Sequence, residues 1–219
     1  ITEYMASKSK VSVSTGAKGD KIVTVSFPLE TKASATNKAK KIPNAALHLM
    51  PDIKRYANKN SIDESLILAV IETESSFNPL AKSPIPAYGL MQIVPSSAGK
   101  DVARKLYGKP ALFSPSYLYN TKNNIEAGAT YLNILYYRYL KGIKNPESRM
   151  FCAIAAYNTG AGNVAKAFTG GTRLAPAFAK INLMKPNEVY EHLRKNLHYE
   201  EARRYVVKVN KRLAKYQGL

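Results

Sequence analysis

The most regular alternation of apolar and polar positions in this chain runs from Ser61 to Pro79. Leu66, Ile67, Ala69, Val70 and Ile71 recur at the three- and four-residue steps of a helix. Ser61-Ile62-Asp63-Glu64 has the form of a capping box and predicts a helix start with Ser61 as N-cap. Asn78-Pro79 closes the element, because proline disfavours helical angles in the residue before it. Two acids fall near its end. At about 100° per residue, Glu72 and Glu74 lie about 200° apart and cannot share a face. Glu74 follows Ile67, Val70 and Ile71 at the spacings of a common face, so it rides on the apolar side; Glu72 points elsewhere and is expected to be solvated.

Helical spacing dominates the rest of the chain from Asn44 onward. A helix is expected over residues 45–58 with a break near Pro51, and another from Pro95 to about Leu106, proline being suited to a first helical position. Residues 123–140 repeat Ile125, Leu132, Leu135 and Tyr139 near the helical period. Residues 147–157 are apolar almost all round, which predicts a central buried helix ending at the glycines of Asn158-Thr159-Gly160-Ala161-Gly162. Two last helices are expected over 186–195 and 200–216, the final one strongly basic. Between Asn78 and Pro95 the prolines and Gly89 predict a loop that ends in the apolar run Leu90-Met91-Gln92-Ile93-Val94.

Residues 1–40 follow another period. Val11 to Ser14 and Ile22 to Phe27 alternate and are rich in β-branched residues, with a turn-forming stretch from Gly16 to Asp20 between them, so a hairpin is predicted. A lone hairpin is marginal in water, which makes this segment part of a larger β-containing unit. Residues 31–41 have the small, polar and basic character of a linker. The expected organisation is therefore a β-containing N-terminal piece over 1–40 and a helical domain over 41–219.

Charge narrows the partners. Thirty-three Lys and Arg against 15 Asp and Glu give a formal net charge of +18, which calls for an anionic partner: a nucleic acid, an acidic membrane face or a wall polymer. No nucleic-acid recognition motif accompanies it. The single cysteine, Cys152, lies between Phe151 and Ala153-Ile154 and reads as a buried thiol; His48, His192 and His198 are scattered without metal-ligand spacing. No cofactor or metal is expected.

A carboxyl on an apolar helix face is costly unless neutral or hydrogen-bonded, and desolvation raises its pKa above the usual value of about 4.3. That suits a general acid near neutral pH, and it equally suits a buried ion pair. Two further segments place polar groups beside glycine, Gly89-Leu90-Met91-Gln92 and Ala156-Tyr157-Asn158-Thr159-Gly160, and with Glu74-Ser75 they make three stretches at helix ends or loop starts. Bare backbone, amide side chains and an aromatic ring together suit a sugar, although each residue alone has an ordinary structural reading.

Taken together these segments resemble the family 1 lytic transglycosylases, bacterial enzymes with a goose-type-lysozyme-like helical domain that cleave the glycan of peptidoglycan. The pattern E-S-x-F-x-P stands here as residues 74–79, G-L-M-Q as 89–92, N-I-x-x-G-x-x-Y-L as 124–132, A-Y-N-x-G as 156–160, and E-T-R-x-Y-V as 201–206 with Ala202 in place of threonine. Pro86-Ala87 replace the usual glycine and alanine ahead of G-L-M-Q. The resemblance implies that Glu74 acts alone, first protonating the oxygen between N-acetylmuramic acid and N-acetylglucosamine, then taking the proton of the muramic C6 hydroxyl as a 1,6-anhydro ring closes. It places Ser83 and Tyr205 near the Glu74 carboxyl, and Ser75, Met91, Gln92, Tyr157 and Asn158 along the sugar groove. Glu201 reads as a groove residue or as a salt-bridge partner of Arg203 or Arg204, the salt bridge being favoured by its sequence neighbours. Residues 98–102, 185–190 and 203–205 resemble a membrane-anchored branch of the family. That likeness implies a monomer at the periplasmic face of the outer membrane, held by a lipid anchor outside this chain. A hydrolytic muramidase and an inactive glycan-binding scaffold are the alternatives.

Overall fold

The computed structural model describes residues 10–15, 21–26 and 42–217, the first two stretches by backbone alone. The chain divides into two compact units, Ile1–Ala39 and Lys40–Leu219. In the first, β1 (Lys10–Thr15) pairs antiparallel with β2 (Lys21–Ser26), Val11 opposite Val25 and Val13 opposite Val23. The expected turn over 16–20 and linker over 31–41 lie outside the described residues.

The second unit is helical. It runs α1 (Asn44–Leu47), α2 (Met50–Asn60), α3 (Glu64–Glu74), α4 (Lys100–Tyr107), α5 (Pro115–Tyr119), α6 (Thr121–Asn133), α7 (Pro146–Thr159), α8 (Ala161–Thr169), α9 (Leu174–Ile181), α10 (Pro186–Asn196) and α11 (Glu200–Tyr216). Wider π-type turns lead into α4 at Pro95–Gly99 and prolong α6 at Ile134–Tyr139. Thus the helix expected from Pro95 is wound as a π turn in its first five residues, and the one expected over 123–140 loses α geometry after Asn133. Pro51 sits in the first turn of α2 instead of breaking a helix; the break falls at His48-Leu49.

Helix α3 begins two residues later than its capping pattern predicts. Ser61 adopts a left-handed conformation (φ 53°, ψ 42°) that terminates α2. Asp63 is the N-cap, its carboxylate accepting the Ser65 N–H at 2.7 Å. The linking Ile62 is buried in the core, and the extended Asp63 after it (ψ 133°) turns the chain into α3. From Ser65 to Ile71 every residue of α3 is buried, so this helix, together with the inner half of α7 from Cys152 to Tyr157, forms the centre of the core.

The most extensive helix pairing is that of α11 on α3. One end of it is a charged clamp. Lys215 Nζ lies 2.9 Å from Glu72 Oε1, the Tyr216 hydroxyl donates to Glu72 Oε2 at 2.7 Å, and Arg212 approaches at 3.6 Å. Ser65 also donates to the Tyr216 carbonyl at 3.1 Å. Glu72 is therefore not solvated, as its outward direction on α3 suggested. That direction is where α11 lies. Burial raises the Glu72 pKa, but the hydrogen bonds from Lys215 and Tyr216 and the nearby positive charges outweigh it and leave the carboxylate below its ordinary value.

Candidate active site

Glu74 is the last residue of α3. Immediately after it the chain reverses: Ser76 (φ 50°) and Phe77 (φ 67°) both occupy the left-handed region, costly for side chains with a Cβ. Phe77 is buried and anchors the reversal in the core. Asn78 Oδ1 then accepts the Leu80 N–H at 3.0 Å, an Asx turn that fixes the exit ahead of Pro79. This is the physical content of the residues around Glu74: they stop the helix at the acid and lead the backbone away from it. Ser75 stays close, its hydroxyl donating to the Ile71 carbonyl at 3.0 Å.

The loop over 81–93 is tied by two isolated bridges, Lys82 with Tyr88 and Tyr88 with Ile93. Its glycine is obligatory: Gly89 has φ +76°, and a Cβ there would run into the Leu118 carbonyl and the Asn124 amide. Asn124, wholly buried on α6, holds the loop from below. Its Oδ1 accepts the Met91 N–H at 2.8 Å, and its Nδ2 donates to the carbonyls of Tyr88 and Leu118, each at 2.8 Å. Gln92, itself left-handed (φ 47°), donates from Nε2 to the carbonyls of Ala81 (3.0 Å) and Gly89 (2.9 Å).

Met91 was expected along the sugar groove. It is wholly buried instead, its thioether seated on Gly128 of α6, where a Cβ would collide with it. Its backbone ties two elements together: the Tyr157 hydroxyl donates to the Met91 carbonyl at 2.8 Å, joining the end of α7 to the loop. Tyr157 is almost fully buried and packs against Tyr131 with ring centroids 5.4 Å apart. Asn158, half-buried, has a side chain without a hydrogen-bond partner among the described residues. Ser83 donates to the Ile85 carbonyl within its own turn and, among the described residues, makes no hydrogen bond to the Glu74 carboxyl.

Tyr205 on α11 completes the group, its hydroxyl donating to Glu74 Oε1 at 2.7 Å. Among the described residues it is the one hydrogen-bond partner of that carboxyl. Burial pushes the Glu74 pKa up to about 7, against the lowering effect of the Tyr205 bond and with a further upward contribution from the charge of Glu201. The C-terminal end of a helix dipole, negative in sign, acts in the same upward direction. Glu201 itself is exposed and carries no ion pair among the described residues. The expected salt bridge forms one residue earlier, Glu200 with Arg204 at 2.6 Å, while Arg203 donates to the carbonyls of Leu197 and His198. Glu200 lies four residues before Arg204, one of the two spacings at which helical side chains meet.

A carboxyl poised near neutrality can give a proton and take one back. Removing the Tyr205 hydroxyl deletes the bond that favours the ionised form, so Tyr205→Phe raises the Glu74 pKa further. A reaction needing the protonated acid loses activity as pH rises through that pKa. The basic limb of the Tyr205→Phe profile is therefore displaced to higher pH than in the parent; a limb that stays put shows that Glu74 does not govern it.

Asn124 and Gly128 escaped assignment from sequence although both stand in the quoted N-I-x-x-G-x-x-Y-L pattern, on the buried side of α6. Among the described residues no three His, Cys, Asp or Glu side chains gather as a metal site.

Known proteins resemble this arrangement in sequence and in fold. The family described as Transglycosylase SLT domain matches residues 52–175. Membrane-bound lytic murein transglycosylase C of Serratia proteamaculans (strain 568) is 45% identical over 170 residues, covering 77% of this chain and 46% of that protein. The chain thus spans about half the length of the curated relatives it matches. The 70 kDa soluble lytic transglycosylase SLT70 of Escherichia coli superposes with a TM-score of 0.57 at 28% identity, over 77% of this chain and 24% of that one. An inactive glutamate-to-glutamine mutant of the lytic transglycosylase Slt from Pseudomonas aeruginosa does so with a TM-score of 0.55 at 28% identity, over 78% and 24%. With its helical domain, the half-buried Glu74 carboxyl at the end of α3 and a family match across more than half its length, the chain belongs to the transglycosylase SLT domain family.

Proposed function

We propose that residues 41–219 are the catalytic domain of a peptidoglycan lytic transglycosylase. The observation that carries the reading is Glu74: a carboxyl held near pKa 7 at a helix end, hydrogen-bonded among the described residues by one phenol and by no second carboxyl. Protonated, it donates to the oxygen of the β-1,4 bond between N-acetylmuramic acid and N-acetylglucosamine, and the leaving sugar departs. The muramic N-acetyl group stabilises the cation that remains. Glu74, now ionised and steadied by Tyr205, accepts the proton of the muramic C6 hydroxyl as that oxygen bonds to C1, giving the 1,6-anhydro product without water. A two-carboxylate glycosidase needs a partner acid about 5 to 9.5 Å away, and the single acid removes that need. That one glutamate-to-glutamine change accompanies inactivity in a related lytic transglycosylase of this fold supports a single essential acid.

Around Glu74, Ser75, Gln92, Tyr157, Asn158 and Glu201 are assigned to the sugar groove. Asn158 offers its free amide, and Tyr157 and Gln92 shape the loop that the sugar meets. Met91 and Ser83 serve the loop's own structure. Residues 1–40 are assigned to the trailing part of a β-containing N-terminal domain, and a lipid anchor outside this chain would hold a monomeric enzyme at the periplasmic face of the outer membrane. No helix among the described residues is long and apolar enough to cross a membrane. Wall glycan, rather than nucleic acid, accounts for the charge of +18.

One observation favours a second reading. Glu201 is an exposed, unpaired acid whose charge reaches Glu74, and a water activated there would make the enzyme a muramidase. Mass spectrometry of products from purified sacculi separates the two. Anhydromuropeptides are expected; products heavier by one water, with reducing ends, identify hydrolysis, and intact sacculi identify a binding scaffold.

A further inference from the structure

On the outer side of the corner between α10 and α11 lies an open groove of about 430 Å³, lined by Arg194, Glu200, Arg203, Arg204, Val207 and Lys208. Four cations face one acid. Arg204 pairs with Glu200 at 2.6 Å, and Arg194 with Glu191 outside the groove at 3.0 Å. Arg203 is held by neutral carbonyls, which leave its charge uncompensated, and Lys208 has no partner among the described residues. Convergent guanidinium groups beside an ammonium are the donor set that grips carboxylates or phosphates. None of these four cations takes part in the chemistry assigned to Glu74.

We propose that this groove docks the carboxylates of the peptide stems carried by the muramic acid residues of the glycan. The inference rests on the function proposed above and extends it from the sugar backbone to its branches. Position supports it. Arg203 and Arg204 flank Tyr205, whose hydroxyl reaches Glu74, and a helix is only about 10–12 Å across, so the groove lies about one helix diameter around α11 from the reacting acid. A branch attached to the sugar at the cleavage point spans that distance within a few residues, at up to about 3.3–3.6 Å per residue. The lining also speaks against a membrane surface as occupant. Its one apolar wall is Val207, and the exposed apolar side chains a bilayer would receive, Leu80, Ile85 and Leu183, are elsewhere.

The test uses the double variant Arg204→Ala/Lys208→Ala in the full chain; both side chains are exposed, and an unchanged melting temperature establishes that the fold persists. Two substrates are compared: glycan strands bearing stems, and the same strands stripped of stems by an amidase. On stem-bearing strands KM is expected to rise about threefold to tenfold, the worth of two solvent-exposed charge contacts, with kcat unchanged and the effect shrinking as salt increases. On stripped strands parent and variant are expected to behave alike. An equal rise on both substrates, or none on the first, overturns the proposal. Titration of the parent with a free stem peptide, followed by NMR, reads the groove without turnover: shifts at Arg204 and Lys208 that vanish in the variant support the site, and their absence overturns it. Retention on phosphatidylglycerol vesicles that the variant loses, without peptide binding, assigns the groove to lipid and overturns it as well. If the parent yields no anhydro product but still binds the peptide, it is the catalytic reading that fails and the groove that stands.

Discussion

Glu74→Gln is expected to fold, bind glycan and fail to cleave it, with turnover lower by about 10²- to 10⁴-fold, the contribution of a positioned acid–base group. Glutamine keeps the shape and still accepts the Tyr205 hydroxyl bond but has no proton to give at the pH where the carboxyl works. The same variant is also expected to be more stable at neutral and alkaline pH. The folded-state pKa of about 7 stands above the ordinary 4.5, so the unfolded chain ionises first and the folded state is disfavoured as pH rises between those values. Below pH 4.5 parent and variant therefore melt alike. Through pH 7 the variant draws ahead, and above it the difference levels off at on the order of 3 kcal/mol, the displacement from 4.5 to about 7 taken at about 1.36 kcal/mol per pH unit. Thermal melts across pH 4 to 8 measure it. A variant that retains lysis of sacculi removes Glu74 from the mechanism; a stability difference that does not grow with pH removes the desolvation that tunes it.

Asn124→Ala is expected to have the largest effect on folding. Its amide group makes three bonds of 2.8 Å in a site closed to water, and without it the Met91 N–H and the Tyr88 and Leu118 carbonyls lose their partner. Each such buried group costs about 1–3 kcal/mol when left unpaired; some relaxation and water entry bring the total to about 3–5 kcal/mol. Activity falls beyond the loss of folded protein, because the Met91 backbone that Tyr157 binds is no longer held. Asn124→Asp fails as well, since a second carboxylate oxygen would face two carbonyls. Denaturant unfolding gives the first number and activity per folded molecule the second. A loss below about 1 kcal/mol would mean that the loop stands without its hub.

The clamp at Glu72 shows what periodicity misses. Its phase on α3 correctly separates it from Glu74, yet a direction away from one apolar face says nothing of what lies in that direction. Here it is the end of α11, more than 140 residues on. The helix start illustrates the same limit: Ser61 and Asp63 are both good caps in isolation, and in the fold Ser61 ends α2 while Asp63 caps α3. Helices α5, α8 and α9 went unexpected: α5 is only five residues long although Ser114 and Pro115 open it locally, and α8 and α9 start without a side-chain cap.

What the sequence determined by itself was local: the apolar stripe that makes α3, the proline- and glycine-bearing loop beyond it, the buried run of α7, and through five ordered motifs the family. That α3 stops already at Glu74, four residues before Asn78, was not among them. Tertiary structure alone decided which groups meet. Tyr205 donates to Glu74 across 131 residues of chain, Met91 turns its side chain inward and offers its carbonyl, and Arg204 pairs with Glu200 and not with Glu201. The physical reason is range. Turn angles, capping and helical period are set within a few residues, whereas a carboxyl's pKa depends on how much water the assembled core removes from it and on which hydroxyl that core brings within 2.7 Å.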